Sequence, residues 1–123
     1  MIQGIGVDVV ELARIKEMLS TQGAAFVNKI FTESEIAYCQ SKPTPEQHYA
    51  ARFAAKEAVS KALQMGWSGV FRWKDVEVQN EPSGAPKILL YNKLAEVLAQ
   101  SSVHVSLSHT NTTVVAFAII ENR

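Results

Sequence analysis

Chemically active side chains are concentrated in the stretch Tyr49–Leu63, which reads YAARFAAKEAVSKAL. At about 100° per residue of an α-helix, Glu57, Ser60 and Lys61 fall on one side of it. A carboxylate, a hydroxyl and an ammonium held together suit a metal-bound polyphosphate. A plain i,i+4 ion pair of Glu57 with Lys61 on a solvated face, worth about 0.2–0.5 kcal/mol, is the simpler interpretation of the helix alone. The rest of the chain must decide between the two.

The composition of the same stretch predicts a long helix, because alanine, lysine, glutamate and leucine are good helix formers. Thr44 as N-cap and Pro45 as first helical residue mark its beginning, and Gly66 marks its end. Arg52 and Lys56 lie at the flanks of the polar side. The predicted core face consists of Ala55, Val59, Ala62 and Leu63.

A second carboxylate of interest is Asp8, at the end of the segment IQGIGVD. This segment predicts a short strand, in which Gly4 and Gly6 allow another backbone or a ligand to approach closely. Asp8 followed by Glu11 is typical of a capping pair that opens a first helix. The functional alternative is a metal-binding carboxylate, which requires a second carboxylate brought to it by the fold. Glu57 is the candidate.

The other elements follow from caps and periodicity. The first helix is predicted to end near residues 21–23, and a capping box at Thr32 and Glu35 opens a short second helix. Residues 73–78 and 87–91 predict a hairpin, 92–101 a short helix, and 103–108 a strand. Thr113–Ile120 is apolar on both faces, as for a central strand or one covered by a partner chain. The expected fold is α+β, a small antiparallel sheet with the long helix packed across it.

Composition limits the classes of partner. The 123 residues are 47% hydrophobic and carry 12 basic and 12 acidic side chains, which indicates one globular domain, residues 1–123, without a global field for nucleic acid or membrane. The apolar run from Ile5 to Leu12 is interrupted by Asp8 and Glu11, so it fits neither a signal peptide nor a membrane span. A single cysteine, Cys39, fits a reducing compartment, and we expect a cytoplasmic protein.

His109 closes the motif SLSH at the end of a predicted strand, where a histidine can donate to a phosphate. Taken alone, a turn residue is the simpler interpretation. The sequence contains no Cys/His metal spacing, no P-loop and no Ser-His-Asp set in a supporting context.

Two segments together, GIGVD at 4–8 and RFAAKEAVSKAL at 52–63, resemble the bacterial holo-acyl-carrier-protein synthase family of 4′-phosphopantetheinyl transferases. The resemblance continues in the family's order through ELARI, FTESE, KDVE, GAP and SLSHT, which begin at positions 11, 31, 74, 84 and 106. It therefore covers nearly the whole chain.

The resemblance implies transfer of 4′-phosphopantetheine from coenzyme A to a serine of apo acyl carrier protein, in fatty acid biosynthesis, with release of adenosine 3′,5′-bisphosphate. It implies that Asp8 and Glu57 hold magnesium and that Lys61 neutralises phosphate charge, these three being the catalytic residues. It also implies that Arg14 docks the carrier. The implied coenzyme A contacts are Arg52, Lys56, Ser60, Lys61, Gly84, Pro86 and His109. A metal-bound water, Glu57 or Asp8 are the candidates for accepting the serine proton.

Three positions depart from the family pattern. Gln64 replaces a glycine that often follows the helix motif, Ala85 replaces a basic residue common before the loop proline, and Ala13 replaces a basic residue frequent beside Arg14. With the doubly apolar strand Thr113–Ile120, the resemblance also predicts a homotrimer with active sites between chains. The rival hypotheses are a module that binds coenzyme A or another nucleotide without turnover, and a structural oligomer subunit.

Overall fold

Five α-helices and five β-strands follow one another in a computed structural model that describes all residues, Met1–Arg123. They are β1 (Ile2–Glu11), α1 (Leu12–Thr21), α2 (Ala24–Ile30), α3 (Glu33–Gln40), α4 (Pro45–Leu63), β2 (Val76–Asn80), β3 (Pro86–Leu90), α5 (Asn92–Val97), β4 (Ser101–His109) and β5 (Thr113–Asn122). A 3-10 turn, Trp73–Asp75, precedes β2. None of the helices is both long and apolar enough to cross a membrane.

The strands form two antiparallel sheets. One has the order β1-β5-β4, with Asp8 opposite Ala116 and Ser106 opposite Phe117, and the other is the β2–β3 hairpin. The long helix α4 packs on β1 and β5 and also contacts α1, α3 and β2. The predicted α+β class, with a long helix across an antiparallel sheet, is confirmed, and β5 is the central strand.

The close packing of α4 on β1 depends on two glycines. A Cβ atom at Gly6 would collide with the carbonyl oxygen of Ala58, and one at Gly4 with that of Ala62. The prediction that these glycines admit another backbone is therefore confirmed. Small residues also line the sheet side of the contact, because Ala116 and Ala118 of β5 are fully buried.

The other side of α4 is buried by aromatic packing. The Phe53 ring stacks on Trp73 with centroids 5.4 Å apart, and the Tyr49 ring lies 4.9 Å from Phe31. Burying each such side chain contributes about 1.5–3 kcal/mol. Consequently α4 is enclosed on most of its circumference. The sequence had instead predicted one core face and one polar face.

Several local predictions are confirmed. Thr32 and Glu35 form the predicted capping box of α3. The helix α4 begins at Pro45, although the Thr44 side chain makes no capping hydrogen bond, and α1 ends at Thr21 as expected.

The predicted helix cap at Asp8 is wrong. Pairing with β5 extends β1 to Glu11, which lies opposite Thr113, so Asp8 is inside the strand. The short helix α2, which buries Phe26 and Ile30, was missed because a seven-residue helix has little periodicity to detect. The helix expected at 92–101 ends at Val97, and the segment expected to begin a strand at Trp73 is a 3-10 turn.

Candidate active site

Asp8 and Lys61 meet where β1 crosses the end of α4. Residues at even positions of β1 face α4, and the Lys61 Nζ lies 2.8 Å from the Asp8 Oδ1. The same ammonium donates to the Val7 carbonyl oxygen at 3.1 Å. Lys61 therefore pairs with a carboxylate on another element and not with Glu57, so the simple i,i+4 ion pair within α4 does not form.

Glu57 is the second carboxylate at this place. It is half-buried and forms no salt bridge. Burial and the nearby negative charge of Asp8 raise the pKa of Glu57, while the positive charges of Lys61 and Arg14 oppose that rise. Asp8 and Glu57 are thus two carboxylates close enough to repel each other. The Lys61 ammonium partly compensates their negative charge. Ser60, also half-buried, precedes Lys61 on α4.

This donor set fits magnesium. Mg²⁺ prefers oxygen ligands, keeps several waters, and is commonly held by one or two carboxylates plus substrate phosphates. The chain gathers no group of three or more His, Cys, Asp or Glu side chains able to hold a metal ion. Two carboxylates and no further protein ligand leave the remaining positions to phosphate oxygens and water.

Arg52 lies about 140° around α4 from Glu57, at 100° per residue. It is 3% exposed, its Nη2 donates to the Asn80 Oδ1 at 2.9 Å, and its guanidinium carbon lies 4.2 Å from the Tyr38 ring centroid. Its Nε is buried without a hydrogen-bond partner. An open cavity of about 300 Å³ is lined by Arg52 together with Ser34, Tyr38, Val78, Gln79 and Asn80. Arg52 therefore combines a buried donor that lacks a hydrogen-bond partner with a place in the wall of a polar cavity.

A second cation, Lys42, and the ring of His48 also lie beside Tyr38. The Lys42 Nζ lies 4.7 Å from the centroid of the Tyr38 ring, and the His48 ring is 5.6 Å away, edge-on. Burial lowers the pKa of His48, and the positive charges of Arg52, Lys42 and His109 lower it further. We call Arg52 and Lys42, together with the neighbouring rings of His48 and His109, the cationic cluster, in which Arg52 and Lys42 carry the positive charge. Its concentrated positive charge suits phosphate groups.

The loop between β2 and β3 adjoins this cluster through Asn80. The Asn80 Nδ2 donates to the Gly84 carbonyl oxygen at 3.0 Å, and Pro86 pairs with Asn80 across the hairpin. Gly84 has φ +91°, a conformation that favours glycine. His109, at the end of β4, has its Nδ1 3.0 Å from the Gln47 Nε2 on α4. The structure therefore brings Gly84 and Pro86 to the Arg52 side of α4 through Asn80, and His109 to Gln47 in the first turns of the same helix.

Lys56 corrects the sequence prediction. Its side chain is fully buried, and its Nζ contacts Glu35 Oε1 at 2.7 Å and the carbonyl oxygens of Ile30 and Trp73 at 2.8 and 2.9 Å. An ammonium has three donors, and all three are occupied. Lys56 therefore does not face a substrate, because the packing of α2 and α3 on α4 covers a position that the helix by itself leaves at a polar flank.

Arg14 is exposed on α1, and its guanidinium carbon lies 5.6 Å from the Phe53 ring centroid. Its charge acts on Glu57, so α1 borders the carboxylate site.

Tyr38, Lys42, His48 and Asn80 were not predicted as site residues. The spacing of His48 and Arg52, four residues apart at the beginning of α4, was the one available signal that these two side chains lie together. The contribution of Tyr38 and Asn80 depends on how α3 and β2 pack on α4, and no local pattern reports that.

Comparison with known proteins shows the family of this chain. The family model described as the 4′-phosphopantetheinyl transferase superfamily matches residues 4–118. The chain belongs to that superfamily.

Similar proteins within it include holo-[acyl-carrier-protein] synthases of several bacteria. A holo-[acyl-carrier-protein] synthase of Koribacter versatilis is 43% identical over 125 residues, covering 99% of this chain and all of the relative. The crystal structure of the Neisseria meningitidis holo-[acyl-carrier-protein] synthase matches with a TM-score of 0.89 at 34% identity, over 99% of this chain and 100% of the other. The Bacillus anthracis enzyme, solved in complex with CoA (3′,5′-ADP), matches with a TM-score of 0.84 at 34% identity, over 100% and 99%. The resemblance inferred from the sequence motifs is confirmed.

Proposed function

We propose that this chain transfers 4′-phosphopantetheine from coenzyme A to a serine hydroxyl of apo acyl carrier protein, releasing adenosine 3′,5′-bisphosphate, in fatty acid biosynthesis. The observation that carries the proposal is the division of the site into two parts. One part holds Asp8, Glu57 and Lys61, and the other is the cationic cluster around Arg52. A substrate with a pyrophosphate and a further phosphate on its nucleotide has anionic groups for both.

The roles of the residues follow from their placement. Arg52, which lines the cavity of about 300 Å³, and His109 bind phosphate at the nucleotide end. Gly84 and Pro86 border that pocket through Asn80, and Ser60 and Lys61 contact coenzyme A beside the carboxylates. We propose that Asp8 and Glu57 hold magnesium, whose charge stabilises the pyrophosphate oxygens.

In the reaction, the serine oxygen forms a bond to the β-phosphorus and the bond from that phosphorus to the bridging oxygen breaks. Negative charge then accumulates on the leaving adenosine 3′,5′-bisphosphate. Lys61, 47% exposed and held by Asp8, offers its ammonium to these oxygens and stabilises the transition state. Asp8 and Glu57 are the side chains of this chain at that place that are able to accept the serine proton.

We also propose that the chain works as a homotrimer with active sites between neighbouring copies. The sheet face that α4 does not cover is apolar and exposed, and its exposed residues are Ile5, Val7, Val9, Val115 and Phe117. A cavity of about 400 Å³ on this side is lined by Lys61 together with Ile5, Val7 and Phe117, so the face adjoins the carboxylate site. Because Glu57 and Arg52 point to different sides of α4, one copy's carboxylates are completed by the cationic cluster of its neighbour.

The location proposed is the cytoplasm. Cys39 is fully buried, and burial raises the pKa of its thiol to about 11, so the thiol stays protonated and unreactive. A protein whose single cysteine is an unpaired core residue suits a reducing compartment.

We also propose that residues 1–123 form a single transferase domain.

The test is incubation of the purified protein with coenzyme A, Mg²⁺ and an apo carrier protein, followed by the mass of the carrier. The wild type is expected to add one phosphopantetheine. Glu57→Gln and Asp8→Asn are expected to remain folded and to lose about 10²-fold or more of the turnover, since each removes an oxygen charge that organises the transition state. Glu46→Gln, the same substitution in the first turn of α4, is the control and retains turnover.

Coenzyme A binding without a change in carrier mass would instead indicate a binding module. Near-normal turnover of either isosteric variant would leave that carboxylate without a catalytic role.

A further inference from the structure

A fully buried ion pair, Glu35 with Lys56, lies outside both parts of the proposed site. The Lys56 Nζ and Glu35 Oε1 are 2.7 Å apart, and both side chains are 0% exposed. Burial lowers the pKa of Lys56 and the Glu35 carboxylate opposes that change. A buried ion pair is weak evidence for stability, because apolar residues of similar volume often serve as well or better. The presence of this ion pair in the core therefore needs an explanation other than stability.

The hydrogen bonds of the pair join separate elements. Lys56 of α4 donates to the carbonyl oxygens of Ile30, at the end of α2, and Trp73, in the turn before β2. The Glu35 Oε2 accepts from the Val78 backbone N–H of β2 at 2.8 Å. The pair thus fixes α3 and β2 against α4 at one point.

On each of the three elements, the residue that takes part in this contact lies close in sequence to a residue of the Arg52 pocket. Arg52 is four residues before Lys56 on α4, so the two occupy successive turns. Tyr38 is three residues after Glu35 on α3, one turn along, and Asn80 is two residues after Val78 on β2, on the same face of the strand. Tyr38 and Asn80 are the two side chains that hold the Arg52 guanidinium, at 4.2 Å from the ring centroid and 2.9 Å.

We propose that the Glu35–Lys56 ion pair positions Arg52 for binding the phosphate of coenzyme A, by fixing the distance of Tyr38 and Asn80 from α4. The inference rests on the proposed function. Glu35 and Lys56 do not touch the substrate and act through Arg52. Without the pair, α3 and β2 separate from α4, the guanidinium loses its fixed orientation, and coenzyme A binds more weakly. Asp8, Glu57 and Lys61, on the other side of α4, keep their arrangement.

The test is the kinetics of Glu35→Gln, which keeps the shape and an acceptor oxygen but removes the charge. We expect the KM for coenzyme A, and its Kd by calorimetry, to rise about tenfold, as for weakening one hydrogen bond to a charged group. The kcat is expected to stay within about twofold, because transition-state contacts are unchanged. Asp75→Asn is the matched control, since Asp75 is also a buried carboxylate but bonds to Asn92. It is expected to lower the melting temperature without changing the KM.

A second variant separates positioning from stability. Glu35→Gln combined with Lys56→Met removes the uncompensated ammonium, so the melting temperature is expected to recover while the KM stays high. The third comparison combines Glu35→Gln with Arg52→Ala, and if Glu35 acts through Arg52, the double variant has the KM of Arg52→Ala alone.

An unchanged KM in Glu35→Gln with a lowered melting temperature would reduce the pair to a structural role, and additive effects with Arg52→Ala would show that it acts elsewhere. Both outcomes overturn the inference while leaving the transferase intact. Failure of the wild type to modify the carrier would instead overturn the proposed function.

Discussion

At the scale of one residue, Glu57 carries a negative charge that folding disfavours. Burial and Asp8 raise its pKa above the ordinary value of 4.5. Because the pKa is raised in the folded state, the associated stability is present below about pH 4.5 and is lost as the pH rises through the folded-state pKa. A cation bound between the two carboxylates would reverse this loss.

We therefore predict a pH-dependent difference between the wild type and Glu57→Gln. In the absence of metal the variant is expected to melt at a higher temperature than the wild type at pH 7, and the difference is expected to close toward pH 4. Adding Mg²⁺ at pH 7 should raise the melting temperature of the wild type and not that of the variant, because only a ligand that binds the folded state stabilises it. Melting curves with and without Mg²⁺ test this. A pH-independent difference would contradict the assignment.

Arg14 gives a second residue-scale prediction. Its exposed guanidinium on α1 borders the carboxylate site, where an approaching carrier serine must arrive. Arg14→Glu is expected to raise the KM for an acidic carrier about tenfold at low salt, with the Kd for coenzyme A unchanged, because rim charges act on association. Lys16→Glu, an exposed residue about 200° around α1, controls for net charge. Equal effects of the two variants would contradict a docking role specific to Arg14.

At the scale of elements, the contact of β1 with α4 brings Asp8 to Lys61. The contact is close only because Gly4 and Gly6 have no side chains. One added carbon in β1 must move the helix or the strand, since the atoms it meets belong to the α4 backbone.

Gly6→Ala is accordingly expected to cost about 1–3 kcal/mol of unfolding free energy, as for overpacking elsewhere, and to reduce turnover by displacing Asp8. Gly66→Ala is the control, because a Cβ at Gly66 meets nothing within 4 Å. Urea unfolding and carrier modification of both variants provide the measurement. A Gly6→Ala variant as stable and active as Gly66→Ala would show that the contact yields without consequence.

At the scale of the whole molecule, one face of the three-stranded sheet is apolar and exposed. Phe117, 41% exposed on the central strand β5, lies in that face and also lines the cavity beside Lys61. Covering such residues in an assembly contributes about 25 cal/mol for each Å² of apolar surface removed from water.

We predict that the wild type has the mass of a trimer by light scattering at micromolar concentration. Phe117→Glu is expected to shift it to monomers, because a charge in an apolar interface is costly, and to reduce turnover together with assembly. Ala99→Glu, an exposed residue in the turn after α5, should leave the trimer intact. A monomeric wild type that is fully active would contradict both the assembly and the shared site.

Much of the secondary structure and the family were determined by the sequence itself. The Thr32–Glu35 capping box, Pro45 at the start of α4 and the glycines of β1 are local signals whose meaning depends on near neighbours, so they could be interpreted without a fold. The motifs around Asp8 and Glu57 likewise indicated the family because both segments keep their residue order.

Only the tertiary structure decided which charges are available. Asp8 looked like a helix cap until pairing with β5 placed it inside a strand, and Lys56 looked like a phosphate ligand until Glu35 was found beside it. Arg52 acquired its pocket from Tyr38 and Asn80, which belong to α3 and β2. The physical reason is that burial and pairing depend on packing between elements far apart in sequence, and a helical pattern reports the direction of a side chain but not what covers it.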